Sequence, residues 1–310
     1  MPAKKLRVLV ACGAAAGISA TFNAPITGVV FGFELILREI AVDALVPMVL
    51  AAVVADLVGR AFFGSAPIFS QMPYNLVIAH DWQYLLVLVL GLAAALIGSG
   101  FHGILYKLEN LCDAAWGSRP EWARPAVGGI LLGVVLLALP QMYGVGYPVM
   151  NRAIAGNLAL WFLLILMAGK MVTASLTIGI GASGGVFAPS LFTGAMAGTA
   201  FGVTADHLFG PAAGAPAVYG VIAMGAVFGA AAHAPLTSIA SVVEMTGNYG
   251  LMLPVMLAVG VATLAAGRLS YGTIYTRKLL RRGIDIDLHR SAHQTASPSE
   301  LPWLTQMRCK

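Results

Sequence analysis

The sequence predicts an all-α polytopic membrane protein, built as an inverted repeat of broken, tilted helices. Three observations carry this expectation. Of 310 residues, 59% are hydrophobic and 10% are charged, against roughly 25% charged in ordinary soluble domains. No soluble fold hides that much apolar surface, and the runs are long and continuous rather than alternating, which excludes an outer-membrane barrel. Secondly, from Met171 to Gly267 the only formally charged residues are Asp206 and Glu244, yet Gly179, Gly181, Gly184 and Gly185 interrupt the run. Irregular backbone survives in a bilayer only where it is buried in protein or lines a cavity. Thirdly, Asn23-Ala-Pro-Ile-Thr runs on to Glu34 as His233-Ala-Pro-Leu-Thr runs on to Glu244, each Glu nine residues after its proline. Broken-helix motifs repeated in two halves mark inverted-repeat transporters.

In chain order, Leu6 to Phe22 reads as a short helix of small residues, which permit close packing, ending at Asn23-Ala-Pro25. Ile26 to Ile40 is a second helix carrying Glu34, Arg38 and Glu39. Ala41 to Phe62 is a third, where Asp56 and Arg60 stand four apart and pair on one face. Gly64 to Asp81 is a polar loop. Trp82 to Tyr106 is a long charge-free span whose first residues include the interfacial aromatics Trp82 and Tyr84. Lys107 to Pro125 is polar enough to be extramembrane or interfacial. Ala126 to Leu139 is a short helix, Gly144-Val-Gly-Tyr-Pro148 a turn, and Ala153 to Thr177 leads into the glycine cluster. Helices follow at Phe187 to Leu208, Ala217 to Ala232, Pro235 to Met245 and Leu251 to Gly267. Thr276 to Arg282 is a basic exit helix, and Gly283 to Lys310 a solvated tail. The domain division expected is a membrane domain over 1–282 and a tail over 283–310.

The net charge of +5 sits mostly at the ends, in Lys4, Lys5 and Arg7 and in Arg277, Lys278, Arg281 and Arg282. Both clusters are cytoplasmic anchors under the positive-inside rule, not nucleic-acid patches, and place the chain in an inner (plasma) membrane. Cys12, Cys112 and Cys309 are odd in number and lack metal-ligand spacing, which excludes a disulfide framework and a zinc site. The first apolar run has no cleavage site and continues into further spans. No nucleophile–base pair supports an enzyme, and no cofactor or metal is expected.

The chemistry-bearing stretch is Gly179-Ile-Gly-Ala-Ser-Gly-Gly-Val-Phe-Ala-Pro-Ser190. Glycine lets the chain turn sharply and a ligand approach the backbone, and Pro189 suits a first helical turn. A helix starting near Phe187 would aim free N–H groups and its positive dipole end at an anion. Val186 and Phe187 then matter for their amides. A glycine hinge packed between two helices is the alternative for the same residues. A nucleotide P-loop is excluded, because Lys170 precedes the glycines and no Gly-Lys-Ser/Thr follows.

Upstream of the repeated Ala-Pro, Gly13 and Gly17 align with Gly225 and Gly229, making the second copy two residues shorter. Gly185 lies 50 residues before Pro235. Its first-half counterpart would fall about 25 positions ahead of Met1 by repeat symmetry, so the first repeat is expected to be incomplete here.

Gly185-Val-Phe-Ala-Pro189, with Gly169-Lys170 before it, resembles the Gly-x-Phe-x-Pro signature of the CLC family of chloride channels and proton/chloride antiporters. The likeness extends to Gly13-Ala-Ala-Ala-Gly-Ile-Ser-Ala-Thr-Phe-Asn-Ala-Pro25, to Pro235–Asn248 with Glu244-Met-Thr, and to the segment around Tyr271, spanning Leu6 to Arg282. The resemblance implies a homodimer of all-helical, voltage-gated or proton-coupled subunits, each with its own chloride path between inverted repeats. It implies chloride binding by the amides of Val186 and Phe187 and by a tyrosine hydroxyl, best Tyr271, with Tyr275 as runner-up. A tyrosine there is otherwise an interfacial anchor.

Lys170 is expected either to add positive potential to the anion path or to snorkel to the interface. Glu34 and Glu244 are proton-path candidates, but their symmetric placement favours structural caps or pairs at helix ends. His233 is expected to bond backbone at a helix start. The family's serine loop and Gly-Lys/Arg-Glu-Gly-Pro segment are not found in this sequence. Many family antiporters carry a second acid just after Glu34; here it is Leu35, which cannot carry a proton. The alternative to chloride transport is a truncated, non-conducting CLC remnant or accessory membrane subunit.

Overall fold

The computed structural model describes residues 3–69, 76–117, 119–270 and 273–275. The described residues form eleven α-helices and no strand. These are α1 Ala3–Phe22, α2 Pro25–Phe31, α3 Val42–Phe63, α4 Gln83–Trp116, α5 Arg124–Ala138, α6 Tyr147–Ile154, α7 Leu160–Gly179, α8 Phe187–Phe209, α9 Pro216–Ala232, α10 Pro235–Thr246 and α11 Met252–Leu269. Six of the segments are long and apolar enough to cross a membrane, and the protein is an integral, multi-pass one. Proline opens α2, α9 and α10, where its missing N–H costs no intrahelical bond. The chain divides into two compact units, Met1–Ser270 and Tyr271–Lys310. Of the second only 273–275 are described, where the Tyr275 amide donates to Thr273 Oγ1 at 3.2 Å.

The core is the α8–α9 pair. Every residue of α9 from Ala217 to Ala232 is buried, as expected of a helix that is apolar all round. Gly194 and Gly198 of α8 lie so close to the backbone of α9 at Ala223 and Tyr219 that a Cβ would run into their carbonyls. Backbone cannot yield as a side-chain tip can, so Gly198→Ala is expected to cost about 3 kcal/mol by overpacking. By contrast Gly13 has open space where a Cβ would stand, so Gly13→Ala is expected to stabilise by up to about 1 kcal/mol through helix propensity. Unfolding midpoints of the two variants in detergent check the pair; equal midpoints would contradict it.

The inverted repeat is visible in three helices of each half. The ends Phe22 and Ala232, the starts Pro25 and Pro235, and the starts Val42 and Met252 are each 210 residues apart. Asn23 and His233, the same distance apart, are both left-handed, with φ of 49° and 52°. Gly28 of α2 and Gly32 just after it pack back along α1 on Ala15 and Ala11, whereas Gly59 of α3 meets Ala20, so α1 and α3 run parallel with α2 reversed. Gly225 and Gly229 of α9 meet Val259 and Thr263 of α11, and Val242 and Ser238 of the reversed α10.

This register corrects the glycine alignment made from sequence. With a constant spacing of 210, Gly225 corresponds to Ala15 and Ser238 to Gly28. The small residue at the crossing has changed helix between copies; no residues were deleted. Gly13 and Gly17 have no close neighbour.

Three further boundaries differ from expectation. The second helix does not reach Ile40. After Phe31 it widens into a π-helix over Gly32–Leu37 and stops at left-handed Arg38. Arg38 falls 13 residues after Pro25, while left-handed Gly247 falls 12 after Pro235, the one-residue insertion that a π-bulge absorbs. Secondly, Ala153–Thr177 is not one segment. Gly156, with φ 77°, ends α6 while its amide and that of Asn157 donate back to Ala153 and Arg152 carbonyls, a glycine C-cap. Thirdly, α4 continues through Lys107 to Trp116. At 1.5 Å per residue its 34 residues outrun the roughly 30 Å hydrocarbon core, so the polar stretch is helix at the membrane edge. Asp56 and Arg60 do pair, at 2.6 Å.

The helix directions gather Lys5, Arg7, Arg38, Lys107, Arg119, Arg124 and Arg268 at one end. By the positive-inside rule that end is cytoplasmic.

Candidate functional site

The glycine cluster divides into a cap and a loop. The Gly181 amide donates to Ile178 O at 3.0 Å and the Ala182 amide to Thr177 O at 3.2 Å, with Gly181 at φ 84°. That paired return closes the C-terminus of α7, and glycine takes the left-handed residue without strain. Gly179 is the last residue of α7 and sits against Cys112 and Glu109 of α4. Arg124, opening α5, donates a guanidinium N–H to the Gly179 carbonyl and pairs with Asp113 at 2.6 Å. Sequence reading did not single out Arg124, because its partners lie on two other helices.

Residues 182–185 are irregular and α8 begins at Phe187, as the sequence predicted. The first intrahelical bond runs from the Ser190 amide to Val186 O, at 3.1 Å. The amides of Phe187 and Ala188 come before that bond, and Pro189 has none, so this helix start presents donors without intrahelical acceptors. Ala188 is an addition to the predicted set; counting back from Pro189 would have found it. The Phe187 ring anchors this helix start. It packs against Phe22 and Phe228, with centroids 4.8 and 4.7 Å apart, and edge-on to Phe31 at 6.4 Å. This aromatic box fixes the first turn of α8 at the junction of α1, α2 and α9.

In front of the helix start lies a cavity of about 570 Å³, walled by Lys170, Gly184, Gly185, Phe187, Ala188 and Pro189 together with the Met142–Val145 loop. Lys170 does not snorkel. It is 3% exposed and its ammonium donates to Met142 O at 3.1 Å and Gly144 O at 2.6 Å, 5.0 Å over the Phe192 ring. Three N–H groups on an ammonium leave one beyond those two bonds, and the charge stands in the cavity wall. The turn at Gly144 thus contributes to the site through Lys170.

Glu34 and Glu244 stand outside this wall, at the seam of the repeats. Glu34 accepts from the Leu236 and Thr237 amides at 3.0 and 2.8 Å and from Thr237 Oγ1 at 2.6 Å. Glu244 accepts from the Ile26 and Thr27 amides at 2.9 and 2.6 Å and from Thr27 Oγ1 at 2.7 Å. Each half's carboxylate caps the other half's helix, where the dipole favours negative charge. Tyr271 lies outside the described residues; Tyr275 is described only within its own unit.

The family described as voltage gated chloride channel matches residues 2–267. The chain is 36% identical over 280 residues to the ClcB-like chloride channel protein of Ralstonia nicotianae, covering 90% of this chain and 64% of that one. It is 33% identical over 311 residues to the H(+)/Cl(-) exchange transporter ClcA of Salmonella arizonae, covering 96% and 63%. A solved structure of a slow cyanobacterial Cl-/H+ antiporter superposes with a TM-score of 0.78 at 28% identity, over 91% of this chain and 66% of that one. The chain therefore spans about 64% of the length of the curated relatives it matches.

Proposed function

Because the chain belongs to the CLC family of voltage-gated chloride channels, we propose that it forms part of a chloride-transporting membrane protein, with the start of α8 as one wall of its anion site. The observation that carries this reading is the helix start behind the unwound loop, where Phe187 and Ala188, whose amides precede the first intrahelical bond, line a cavity that also holds the buried Lys170 ammonium. A chloride there is held by the Val186, Phe187 and Ala188 amides, the helix dipole and Lys170. By the family resemblance a tyrosine hydroxyl, Tyr271 with Tyr275 in reserve, is expected as a further donor. Leu35, in place of a second acid, favours channel-like over tightly coupled behaviour. We extend the family's homodimer to this chain: Ile26 and Leu236, 210 residues apart on α2 and α10, are both exposed and suit an isologous contact.

Exchanging the Phe187 amide for an ester removes one N–H and leaves the side chain in place. The expected result is chloride affinity about tenfold weaker, the equivalent of one hydrogen bond to a charged group. Titration calorimetry of the protein in lipid nanodiscs reads it. Unchanged affinity would remove α8 from the site.

A further inference from the structure

Arg124, Gly128, Leu132 and Leu136 of α5 stand four apart in sequence and so share one face of the helix. Leu132 and Leu136 wall the cavity in front of α8. Gly128, the one buried residue of α5, lies so close to Ile180 that a Cβ would run into its side chain. Arg124 begins the face, two turns or ~12 Å below Leu132 along the axis, and donates to the Gly179 carbonyl. This one face therefore runs from the cavity wall to the cytoplasmic end of α7.

A helix ends on four carbonyls that its own later turns cannot satisfy. In α7 these belong to Leu176, Thr177, Ile178 and Gly179. The backbone beyond the helix meets three of them. The Ile180 amide donates to Leu176 O at 2.9 Å, Gly181 to Ile178 O at 3.0 Å and Ala182 to Thr177 O at 3.2 Å. Arg124 meets the fourth, so a cation from another helix completes the cap. Thr177 also lines the cavity, and Gly179 follows it by two residues, ~3 Å along the axis. A helix C-terminus carries about half a negative charge, which repels an anion at that edge of the cavity. Arg124 sets a full positive charge against it.

We propose that Arg124 is a positioning residue of the anion site, which closes the carbonyl end of α7 and keeps the cytoplasmic edge of the cavity favourable to anions. Lys170, nine residues back on α7, stands in the cavity wall, and Arg124 stands below its edge. The two cations bracket the cavity along one helix. Asp113 of α4 pairs with Arg124 through the same Nη2, at 2.6 Å, and is the more exposed partner, 57% against 21%. It does not use up the guanidinium, whose buried Nε finds no acceptor among the described residues. The charge of Asp113 opposes that of Arg124, so the two members of one ion pair act on a nearby anion with opposite sign. A purely mechanical clamp lacks this asymmetry, because losing either partner loosens it alike.

This role rests on the reading of the cavity as an anion site, and the test keeps the two apart. Chloride affinity is measured by titration calorimetry on the 310-residue chain in lipid nanodiscs, with gluconate as the supporting anion. Arg124→Gln is expected to weaken chloride binding about threefold and Asp113→Asn to strengthen it about threefold, the size of a charge acting at a helix end. Arg124→Lys keeps the charge and should stay within about twofold of the unsubstituted chain. Both shifts should shrink in about 0.5 M gluconate, where the Debye length falls to roughly 4 Å. The proposal is overturned, with the anion site left standing, if Arg124→Gln and Asp113→Asn move affinity the same way or not at all. An Arg124→Lys chain as weak as Arg124→Gln overturns it equally. Chloride binding absent from the unsubstituted chain and all three variants defeats the anion site itself, and this role with it.

Discussion

Replacing Glu244 by alanine is expected to destabilise the fold by about 4 kcal/mol, and Glu34→Ala by a similar amount. Each carboxylate accepts two backbone amides and one threonine hydroxyl at 2.6–3.0 Å. Each donor left without an acceptor away from water costs about 1–3 kcal/mol, and a helix start inside a bilayer has little water to turn to. Loss of an N-cap adds about 1 kcal/mol. Glutamine retains an acceptor but not the charge, and charge-assisted bonds are about twice as strong as neutral ones, so the Gln variants should lose about half as much. The near-identical geometry of the two caps makes a further demand: the two alanine variants should fall within about 1 kcal/mol of each other. Both caps join α2 to α10, so the double variant should cost less than the sum. Equilibrium unfolding in detergent reads all five proteins. A loss below about 1 kcal/mol for either alanine variant would mean that water replaces the carboxylate and that the seam is not held as described.

Those caps show where sequence reading reaches and where it stops. Helix ends were legible wherever a local signal marks them. Pro235 starts a helix as read, Pro25 and Pro216 start theirs one residue ahead of the expected Ile26 and Ala217, and the glycines before Phe187 break one, because φ preference and the missing proline N–H act within a few residues. The equal placement of Glu34 and Glu244 was legible too, and pointed to caps or pairs at helix ends. Their partners were not. The Glu34 carboxylate is 202 residues from the amide of Leu236 that it caps, and no local pattern encodes a bond made across the repeat seam. The same holds for Arg124 with Gly179 and for Lys170 with the carbonyls of Met142 and Gly144. The break at Gly156-Asn157 carried its usual signal but was masked by apolar residues on both sides. The π-helix after Phe31 left no signal, since one inserted residue changes neither composition nor period enough to be seen.

The 310-residue chain reconstituted alone is expected to leak chloride no faster than protein-free liposomes. α1, α2 and α3 have counterparts in α9, α10 and α11, whereas α4 to α8 have none among the described residues. The α8 helix start and Lys170 therefore meet the cavity from their own side, without the symmetry-related helix start that repeat architecture places opposite. An anion in hydrocarbon needs donors all round, and a charge left short of them costs on the order of 3 kcal/mol or more. At about 1.4 kcal/mol per decade of rate, that is roughly a hundredfold in flux. Joining the chain to the first-repeat segment of a longer relative should restore flux by about that factor, and Tyr271→Ala should then reduce it. Membrane insertion and the Glu34 and Glu244 caps do not depend on the added segment, so the short chain should still fold, which circular dichroism on the same liposomes checks. Chloride efflux measured with an ion-selective electrode decides the matter. Selective efflux from the 310-residue chain well above the empty-liposome rate, and lost in Tyr271→Ala, would show that these residues close the anion shell by themselves, and the one-walled site described here would have to be abandoned.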